Sequence, residues 1–557
     1  MSIMRGALVL DCSGLEQGNE GEAACATSAP AHPIFMLPGI AGSGLMVSAK
    51  NASLPLCSSS PVSFPVPFRV WASLSLVRPP RSHQLCWMDI MQPVADEKGE
   101  IYASKEGVNV EVDSYGTAHG FDYLDYFYNE RFGVPGTAYF HMMLRTFYWM
   151  GYQEGTSLIG IPYDWRLPPW QMDFGRLKSE IESRVGAMGG AKADVLVHSL
   201  GSVVFNYFLH KVVDQQWKDK YINSYTLVAP ATGGSFKAIK ALLTGYNDPV
   251  DLTFWTLLDI SLIPVDILRD LSRSLGSIYA LLPDIDLYGQ DHLVVRQLQP
   301  KKSGSFSPAF SAFMSGGSDG KAQMHMEANG RNLEFRRLAD ATPPAEWGAQ
   351  TAKWAAQGNG RTEGDGRLPK TQQSREELVQ EISAQVDQRT QQVRHYAAEA
   401  QERMAGIKHL LAEEAEDLEE VVYTLGNWTA LLPPELRLRA ETAKQHMQGI
   451  LKDPGVPTRC IWSVFGFPST DVGYIYTGAD LSRKPVPVLD VGDDTVPLRS
   501  LSVCAGWAST FEVKTFKNLD HMFIFGDVIT RAFPAELSAD STGTRRTDDF
   551  VLEMFLV

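Results

Sequence analysis

Short, continuous apolar runs recur along the chain and constrain its fold more than any other sequence feature. Such runs are typical of strands that are buried on both faces of a parallel sheet. After one of them, apolar residues at 3.6-residue spacing predict an amphipathic helix over 203–212. The repeated order of strand, turn and helix predicts an α/β fold with a parallel sheet. The predicted strands lie at 34–37, 157–161, 194–197, 224–228 and 460–465.

Length and charge set the broad class. The chain has 557 residues, which suits one large domain with insertions or two or three smaller ones. Its net charge of −15 argues against nucleic-acid binding and against adsorption to anionic lipid through charge alone. We therefore expect any membrane contact to be mainly apolar. The most apolar long stretch, 252–268, contains Asp259 and Asp266, so we predict no membrane-spanning segment.

The cysteines indicate disulfides and not a metal site. They stand at 12, 25, 57, 86, 460 and 504, without a C-x-x-C pair or a Cys/His cluster at zinc spacing. Such gaps suit an oxidising compartment, where Asn51 and Asn427 would be glycosylation acceptors. We expect a glycoprotein that is secreted or lumenal in the secretory or endolysosomal system. Because 7–10 is too short an apolar run for a signal peptide, we expect an upstream start or another route of export.

Several segments depart from the α/β pattern. Residues 1–30 are small, polar and acidic, which predicts a flexible N-terminal segment. Residues 61–91 form an apolar, Pro-rich excursion from the α/β pattern, and most of it lies between Cys57 and Cys86. The Gly- and Ser-rich stretch 301–375 predicts a disordered linker. Residues 375–422 carry apolar residues at helical spacing and predict amphipathic helices, either a solvated insertion or a surface for a partner or membrane.

The string Asp194-Val195-Leu196-Val197-His198-Ser199-Leu200-Gly201 carries the clearest chemical signal. A buried strand, a tight turn with Ser199 at its apex and a following helix form the nucleophile elbow of α/β-type serine hydrolases. The turn admits only small neighbours and holds the hydroxyl at the positive end of the helix. Val197 stands where the first glycine of G-x-S-x-G belongs, so the string alone also fits an ordinary strand–helix turn.

The order of residues along the chain favours the elbow. In this fold the acid follows the serine and the histidine follows the acid. The predicted strand 485–489 leads into an acidic turn that contains Asp493 and Asp494. A late strand at 511–516 is followed by His521, the only histidine after His446. A lone histidine is usually a surface or hydrogen-bonded residue, but its place in this order predicts that His521 is the base.

A glycine-rich loop follows the first predicted strand. Residues 38–44 contain three glycines, which allow backbone N–H groups to turn inward. We predict that the N–H groups of Ile40 and Leu200 form an oxyanion hole. The other interpretation is a plain turn, since such loops are common.

These motifs together resemble the lecithin:cholesterol acyltransferase family, whose relatives include lysosomal phospholipase A and phospholipid:diacylglycerol acyltransferase. The resemblance covers about 33–300 and 415–557 in order, and its P-Y-D-W-R and W-K-D-K-Y-I strings are more specific than the serine motif. Family members tolerate a residue other than glycine at the position of Val197. The strings are F-M-L-P-G-I-A-G-S-G-L at 35–45, P-Y-D-W-R at 162–166, V-H-S-L-G at 197–201, W-K-D-K-Y-I at 217–222, A-P-A-T-G-G at 229–234 and G-D-D-T-V at 492–496.

The resemblance implies the roles of individual residues. Ser199 would be the nucleophile, Asp493 the acid and His521 the base, with Asp494 the competing acid. It further implies oxyanion donors at Ile40 and Leu200. Because arginine cannot serve as an acid at neutral pH, we expect Asp164 and Arg166 to form a structural ion pair near the site and not to be catalysts. The implied disulfides are Cys57–Cys86 and Cys460–Cys504, while Cys12 and Cys25 have no counterpart in the family.

The resemblance also implies a domain plan. An α/β-hydrolase domain at 31–300 and 415–557 would carry a membrane-binding cap at 57–91, with Trp71 on its apolar tip. Residues 245–275 would form a lid that opens on lipid, with Phe254 and Trp255 in its apolar part; a buried core helix is the other interpretation. The sequence departs from the family at 301–414, a low-complexity and helical insertion that is absent from simpler relatives. It would be an exposed loop cut by proteases, a regulatory element or a partner site, and its composition favours the first.

The predicted reaction is acyl transfer through a serine ester. Ser199 would cleave an acyl ester of a glycerophospholipid, and the acyl group would pass to a sterol, another alcohol or water. The expected partners are a phospholipid membrane or lipoprotein-like surface and the acyl acceptor, with no nucleic acid, and no cofactor is implied. The alternatives are a lipid-binding or lipid-transfer protein without turnover, and an esterase of soluble esters.

Overall fold

The computed structural model describes most of the chain outside the long predicted insertion. Cys12, Cys25 and residues 301–414 lie outside the described residues. The described ranges are 10–11, 26–27, 32–73, 76–77, 79–127, 132–133, 138–149, 151–246, 263–300, 418–466, 468–519, 521–522 and 524.

The helices and strands are labelled in chain order. The strands are β1 Leu10–Asp11, β2 Ala26–Thr27, β3 Ile34–Leu37, β4 Leu45–Ala52, β5 Val62–Trp71, β6 Pro93–Ala95, β7 Ile101–Ser104, β8 Val108–Val112, β9 Tyr126–Phe127, β10 Phe132–Gly133, β11 Leu158–Gly160, β12 Ala193–His198, β13 Ile222–Val228, β14 Leu293–Pro300, β15 Leu418–Thr424, β16 Thr458–Val464, β17 Thr470–Thr477, β18 Val486–Asp490 and β19 Thr510–Lys517. The helices are α1 Arg81–Met91, α2 His119–Asp122, α3 His141–Trp149, α4 Phe174–Ala187, α5 Leu200–Lys211, α6 Gln215–Tyr221, α7 Lys237–Leu243, α8 Val265–Ser272, α9 Gly276–Ala280, α10 Ile285–Tyr288, α11 Pro434–Met447 and α12 Leu498–Leu501. Short 3₁₀ helices lie at Pro169–Gln171, Trp428–Leu431 and Val503–Gly506.

A parallel sheet forms the centre of the molecule, as the apolar runs predict. Its strand order is β11-β3-β12-β13-β16-β19, and each neighbouring pair is parallel. Every residue of β3 and β12 is buried, which explains why their sequences are continuous apolar runs without alternation. The predicted late strand is β19 at the sheet edge, where exposed and half-buried side chains alternate. The predicted helix after the elbow is α5.

A second sheet packs over a core of its own, and the sequence patterns indicated only one of its strands, the predicted strand 485–489, which is β18. Its order is β15-β14-β17-β18, with β14 and β17 parallel and the outer pairs antiparallel. The expectation of helix as far as residue 422 was wrong at its end, because 418–424 form β15. Val421, Val422 and Tyr423 favour a strand by their branched and aromatic side chains, and antiparallel pairing with β14 provides the partner. Buried members of this second core include Phe236, Leu242, Tyr279, Trp428, Leu436 and Tyr474.

The apolar excursion at 57–91, here called the cap, is built from β5 and α1. β5 pairs antiparallel with β4, which in turn pairs with β8. The Cys57–Cys86 disulfide closes the cap, and the Cys460–Cys504 disulfide joins β16 to the 3₁₀ helix at Val503–Gly506. Both implied pairings are therefore confirmed.

The predicted lid is only partly within the described residues, since 247–262 are outside them. Its C-terminal part is α8, in which Ile267 and Leu271 are 1% and 4% exposed and belong to the main core. This part follows the alternative of a buried core helix. At the other end of the chain, β1 and β2 pair antiparallel inside the segment that was expected to be flexible. Within the described ranges, no helix is long and apolar enough to cross a bilayer.

A buried ion pair fastens the cap to the central sheet. Arg166 follows β11, and its side chain is 1% exposed. The guanidinium donates to both carboxylate oxygens of Asp164, at 2.9 and 2.7 Å. It also donates to the Met91 carbonyl at the end of α1 and to the Ser104 hydroxyl of β7, at 3.2 and 3.1 Å. The expected structural pair is thus present and reaches three separate segments.

We expect Arg166→Met to lower the free energy of unfolding by about 3–5 kcal/mol, because it leaves the Asp164 carboxylate without its buried partner. Urea denaturation measures this loss. Arg483→Met is the matched control, since Arg483 and Asp480 form a pair whose side chains are 67% and 57% exposed. It should cost about 0–1 kcal/mol. Equal losses in the two variants would contradict the structural role of Arg166.

Candidate active site

The site lies where the chain changes direction within the parallel sheet. β11 and β12, the next two strands of this sheet after β3, lie on opposite sides of β3. Loops that leave neighbouring strands in opposite directions open a crevice at the carboxyl edge of a parallel sheet. Ser199 directly follows β12 at this edge, and the glycine loop 38–44 directly follows β3.

The turn at Ser199 is tight and strained. Ser199 has φ 52° and ψ −120°, a conformation that residues with a side chain rarely adopt. A Cβ added to Gly201 would lie 2.8 Å from the carbonyl oxygens of Leu37 and Pro38, so only glycine lets α5 start this close to the end of β3. Val197 is fully buried within β12, where no glycine is needed. The local geometry is that of the predicted elbow.

Three side chains from distant parts of the sequence meet at this turn. The Ser199 hydroxyl lies 2.9 Å from His521 Nε2. On the other side of the ring, His521 Nδ1 lies 2.5 Å from Asp493 Oδ2. Ser199, His521 and Asp493 are 5%, 1% and 0% exposed, so the contacts are shielded from bulk water.

The acidic turn holds Asp493 toward the imidazole. Its second oxygen, Oδ1, accepts hydrogen bonds from the backbone N–H groups of Val496 at 2.7 Å and Thr495 at 3.1 Å. These donors satisfy a carboxylate that would otherwise be costly to bury. The competing acid, Asp494, points elsewhere: its side chain is 49% exposed and lies 3.6 Å from Lys237 Nζ.

The glycine loop is anchored by residues of the P-Y-D-W-R string. The Tyr163 hydroxyl donates to the Pro38 carbonyl at 2.7 Å, and the Trp165 indole donates to the Ser43 carbonyl at 3.1 Å. Sequence reasoning assigned no role to these two aromatic residues. Leu200 is the first residue of α5 and Ile40 lies in the anchored loop. Among the described residues, neither N–H donates to another group, so both remain available to a ligand.

Trp71 does not lie on the tip of the cap. It is the last residue of β5, and its indole N–H donates to the Ala41 carbonyl of the glycine loop at 2.6 Å. Its ring packs edge-on against Trp165, with ring centroids 5.2 Å apart. The expected position was wrong because the direction of β5 turns this side chain inward. Lipid contact by Trp71 stays a prediction, and Phe254 and Trp255 lie outside the described residues.

Two further polar residues at the site escaped sequence reasoning. The Tyr139 hydroxyl accepts a hydrogen bond from Gly39 N–H at 2.9 Å and also contacts His198 Nδ1. His198 Nε2 lies 2.9 Å from the carbonyl oxygen of His521. Burial, and next the proximity of His521, lower the pKa of His198 well below its ordinary value. The one available signal was the position of His198 directly before Ser199.

Much of this chain is similar to known proteins. The lecithin:cholesterol acyltransferase family model matches residues 67–522. The human protein named lysosomal phospholipase A and acyltransferase is 29% identical over 222 residues, 39% of this chain and 51% of that protein. Phosphatidylcholine-sterol acyltransferase of Oryctolagus cuniculus is 27% identical over 224 residues, 40% of this chain and 48% of that protein. The chain thus spans about half the length of the curated relatives it matches.

The similarity of this chain to a solved structure is weak. A chain of the Tle4-Tli4 complex aligns with 91% of this chain and 97% of its own length, at 10% identity and a TM-score of 0.36. This likeness is too distant to carry an argument.

The neutral ring of His198 predicts a pH dependence of stability. Below an unfolded pKa of about 6.5, the unfolded chain binds a proton that the buried ring does not. The free energy of unfolding should therefore fall by up to about 1.4 kcal/mol per pH unit as the pH drops below that value. Urea denaturation of wild type and His198→Gln at about pH 7 and about pH 5 tests this, because the variant should lack this part of the slope.

His83→Gln is the control, since it changes an exposed ring. The same slope in wild type and His198→Gln would mean that folded His198 is protonated.

Proposed function

Because the chain belongs to the lecithin:cholesterol acyltransferase family, we propose that it is a serine-dependent phospholipid acyltransferase and phospholipase A with an α/β-hydrolase fold. The observation that carries the proposal is the pair of contacts at His521, with Ser199 at 2.9 Å and Asp493 at 2.5 Å. This order of nucleophile, base and acid is the arrangement that serine acyl transfer requires.

Acylation begins when the Ser199 hydroxyl attacks the carbonyl carbon of a phospholipid acyl ester. His521 Nε2 takes the hydroxyl proton, while the Asp493 carboxylate holds the imidazole through Nδ1 and stabilises its positive charge. The negative charge that develops on the ester oxygen is stabilised by the N–H groups of Ile40 and Leu200, the latter at the positive end of α5. His521 then donates its proton to the leaving oxygen, and a lysophospholipid departs.

Deacylation repeats these steps with a different nucleophile. A sterol, another alcohol or water gives its proton to His521 and attacks the Ser199 ester, which releases a new ester or a fatty acid. The names of the two matched relatives include both a sterol acyltransferase and a combined phospholipase and acyltransferase. Both outcomes are therefore proposed for this chain, and water access to the acyl-enzyme decides between them.

The proposed domain plan places this chemistry below lipid-facing elements. The hydrolase domain comprises 31–300 and 415–557, with the lid at 245–275, the insertion at 301–414 and a flexible segment at 1–30. The cap offers an apolar contact surface, because Val66 on β5 is 77% exposed between Pro65 and Pro67, both also exposed. An exposed apolar side chain suits a negatively charged chain that must bind lipid without a positive surface.

The proposed location is outside the cell or in the lumen of the secretory or endolysosomal system. Disulfides at Cys57–Cys86 and Cys460–Cys504 favour an oxidising compartment. Asn51 and Asn427 are both exposed, as glycosylation acceptors must be.

Replacement of the nucleophile and of each acid tests the reaction. With phosphatidylcholine vesicles, Ser199→Ala should lose lysolipid release and keep vesicle binding. Asp493→Asn should lower kcat by about 10⁴-fold, because the imidazole loses its orienting carboxylate. Asp494→Asn is the matched control, which removes the same charge one residue away and should retain most activity. Lysolipid release by Ser199→Ala at the wild-type rate would end the enzyme proposal in favour of a lipid-binding protein.

The cap is tested by adding a charge to its exposed apolar surface. We expect Val66→Asp to reduce turnover of phospholipid in vesicles while hydrolysis of a short, soluble ester is unchanged, because only the first requires lipid contact. Val422→Asp changes a valine that is 38% exposed on β15 and serves as the control. If Val66→Asp has no effect on vesicles, the cap is not the lipid contact and an esterase of soluble esters becomes the better interpretation.

A further inference from the structure

We propose that Tyr139 and His198 form a hydrogen-bonded brace that positions both the glycine loop and His521 for acyl transfer. The inference rests on the proposed function, and it assigns two positioning residues to that site. Neither side chain is needed as a nucleophile, acid or base in the reaction described above.

The direction of every hydrogen bond in the brace is fixed by its ends. Gly39 N–H can only donate, so the Tyr139 oxygen is its acceptor, at 2.9 Å. At the other end, the His521 carbonyl can only accept, so the proton of the neutral His198 ring is on Nε2, which donates to that carbonyl at 2.9 Å. His198 Nδ1 is then an acceptor, and the Tyr139 hydroxyl donates its proton to it. A continuous chain of donors runs from the glycine loop to the backbone of His521.

Burial keeps the brace in this neutral state. Tyr139 and His198 are 4% and 0% exposed. Desolvation raises the pKa of Tyr139 and lowers the pKa of His198, which favours the neutral phenol and the neutral imidazole. Protonation of His198 Nδ1 would remove the acceptor of the Tyr139 hydroxyl, because both atoms would then present protons to each other.

The brace joins the glycine loop to His521, which follow strands that are not neighbours in the sheet. Gly39 follows β3, His198 ends β12 and His521 follows β19 at the far edge of the sheet. Asp493 fixes the imidazole of His521 at Nδ1, whereas His198 fixes the backbone of the same residue. Two anchors in different directions define both the position and the orientation of the ring relative to Ser199.

The rings of Tyr139, His198 and His521 pack against one another. The centroid of His198 lies 5.1 Å from that of His521 and 5.5 Å from that of Tyr139. A Cβ added to Gly39 would lie 3.1 Å from the Tyr139 hydroxyl and 3.2 Å from His198 Nδ1. A side chain in place of Gly39 would therefore crowd both members of the brace.

Three variants test the brace, each measured for kcat and KM on phosphatidylcholine vesicles and for the rate at which a fluorophosphonate labels Ser199. Tyr139→Phe and His198→Phe should each lower kcat and the labelling rate by about 10- to 100-fold, because the reacting groups are displaced. KM should change by less than about twofold, because the substrate is not contacted. His198→Gln should retain most of both rates, since its amide supplies one acceptor and one donor in place of the ring nitrogens.

Tyr279→Phe is the matched control, because it removes a buried hydroxyl that donates to the Arg273 carbonyl at 2.8 Å in the second core. It should lower the melting temperature about as much as Tyr139→Phe and leave both rates unchanged. Wild-type rates in both Tyr139→Phe and His198→Phe, with Ser199→Ala inactive, would overturn the brace and leave the proposed function intact. If His198→Phe does not fold, Tyr139→Phe decides alone: a lower melting temperature with a wild-type labelling rate would likewise overturn the brace.

Discussion

The parallel pairing of β3 with β12 is the constraint on which the site depends. In this register Val197 lies opposite Leu37, so the turn at Ser199 and the glycine loop leave the sheet side by side. The first turn of α5 then presses Gly201 against two carbonyl oxygens at the end of β3. A register slip of one residue would exchange the two faces of the strand and separate the serine from the loop that faces it. His521 follows β19 of the same sheet and meets Ser199 at this edge.

Polar groups in the buried site are satisfied by fixed partners. Asp493 presents one oxygen to His521 and the other to two backbone N–H groups. His198 and Tyr139 fill their own hydrogen-bonding capacity through the backbone of Gly39 and His521. Buried groups that are paired in this way do not reorient when charge develops, and a preorganised site of this kind stabilises a transition state without spending energy on rearrangement.

Features that depend on local sequence were predictable, whereas features that depend on contacts between residues far apart in the sequence were not. The strands at 34–37 and 194–197 were evident from their apolar runs, and the serine, acid and histidine from their order. Nothing near Tyr139 marks it as a neighbour of His198, because the contact is made only when the chain folds. The second sheet was missed because β14 and β15 pair across the long segment 301–417. The inward direction of Trp71 depends on how β5 meets the glycine loop, which its apolar context does not reveal.

The pairing of β14 with β15 has a consequence for the long segment between them. Pro300 lies opposite Leu418 in the antiparallel register, so the two residues that flank the segment lie at adjacent points of the sheet. The entropy of closing a loop grows only slowly with its length, and a junction one strand-spacing wide imposes no minimum span. We therefore expect additions or deletions between residues 300 and 418 to have little effect on the pairing of β14 with β15. The length of the segment between β14 and β15 is thus weakly constrained by the fold.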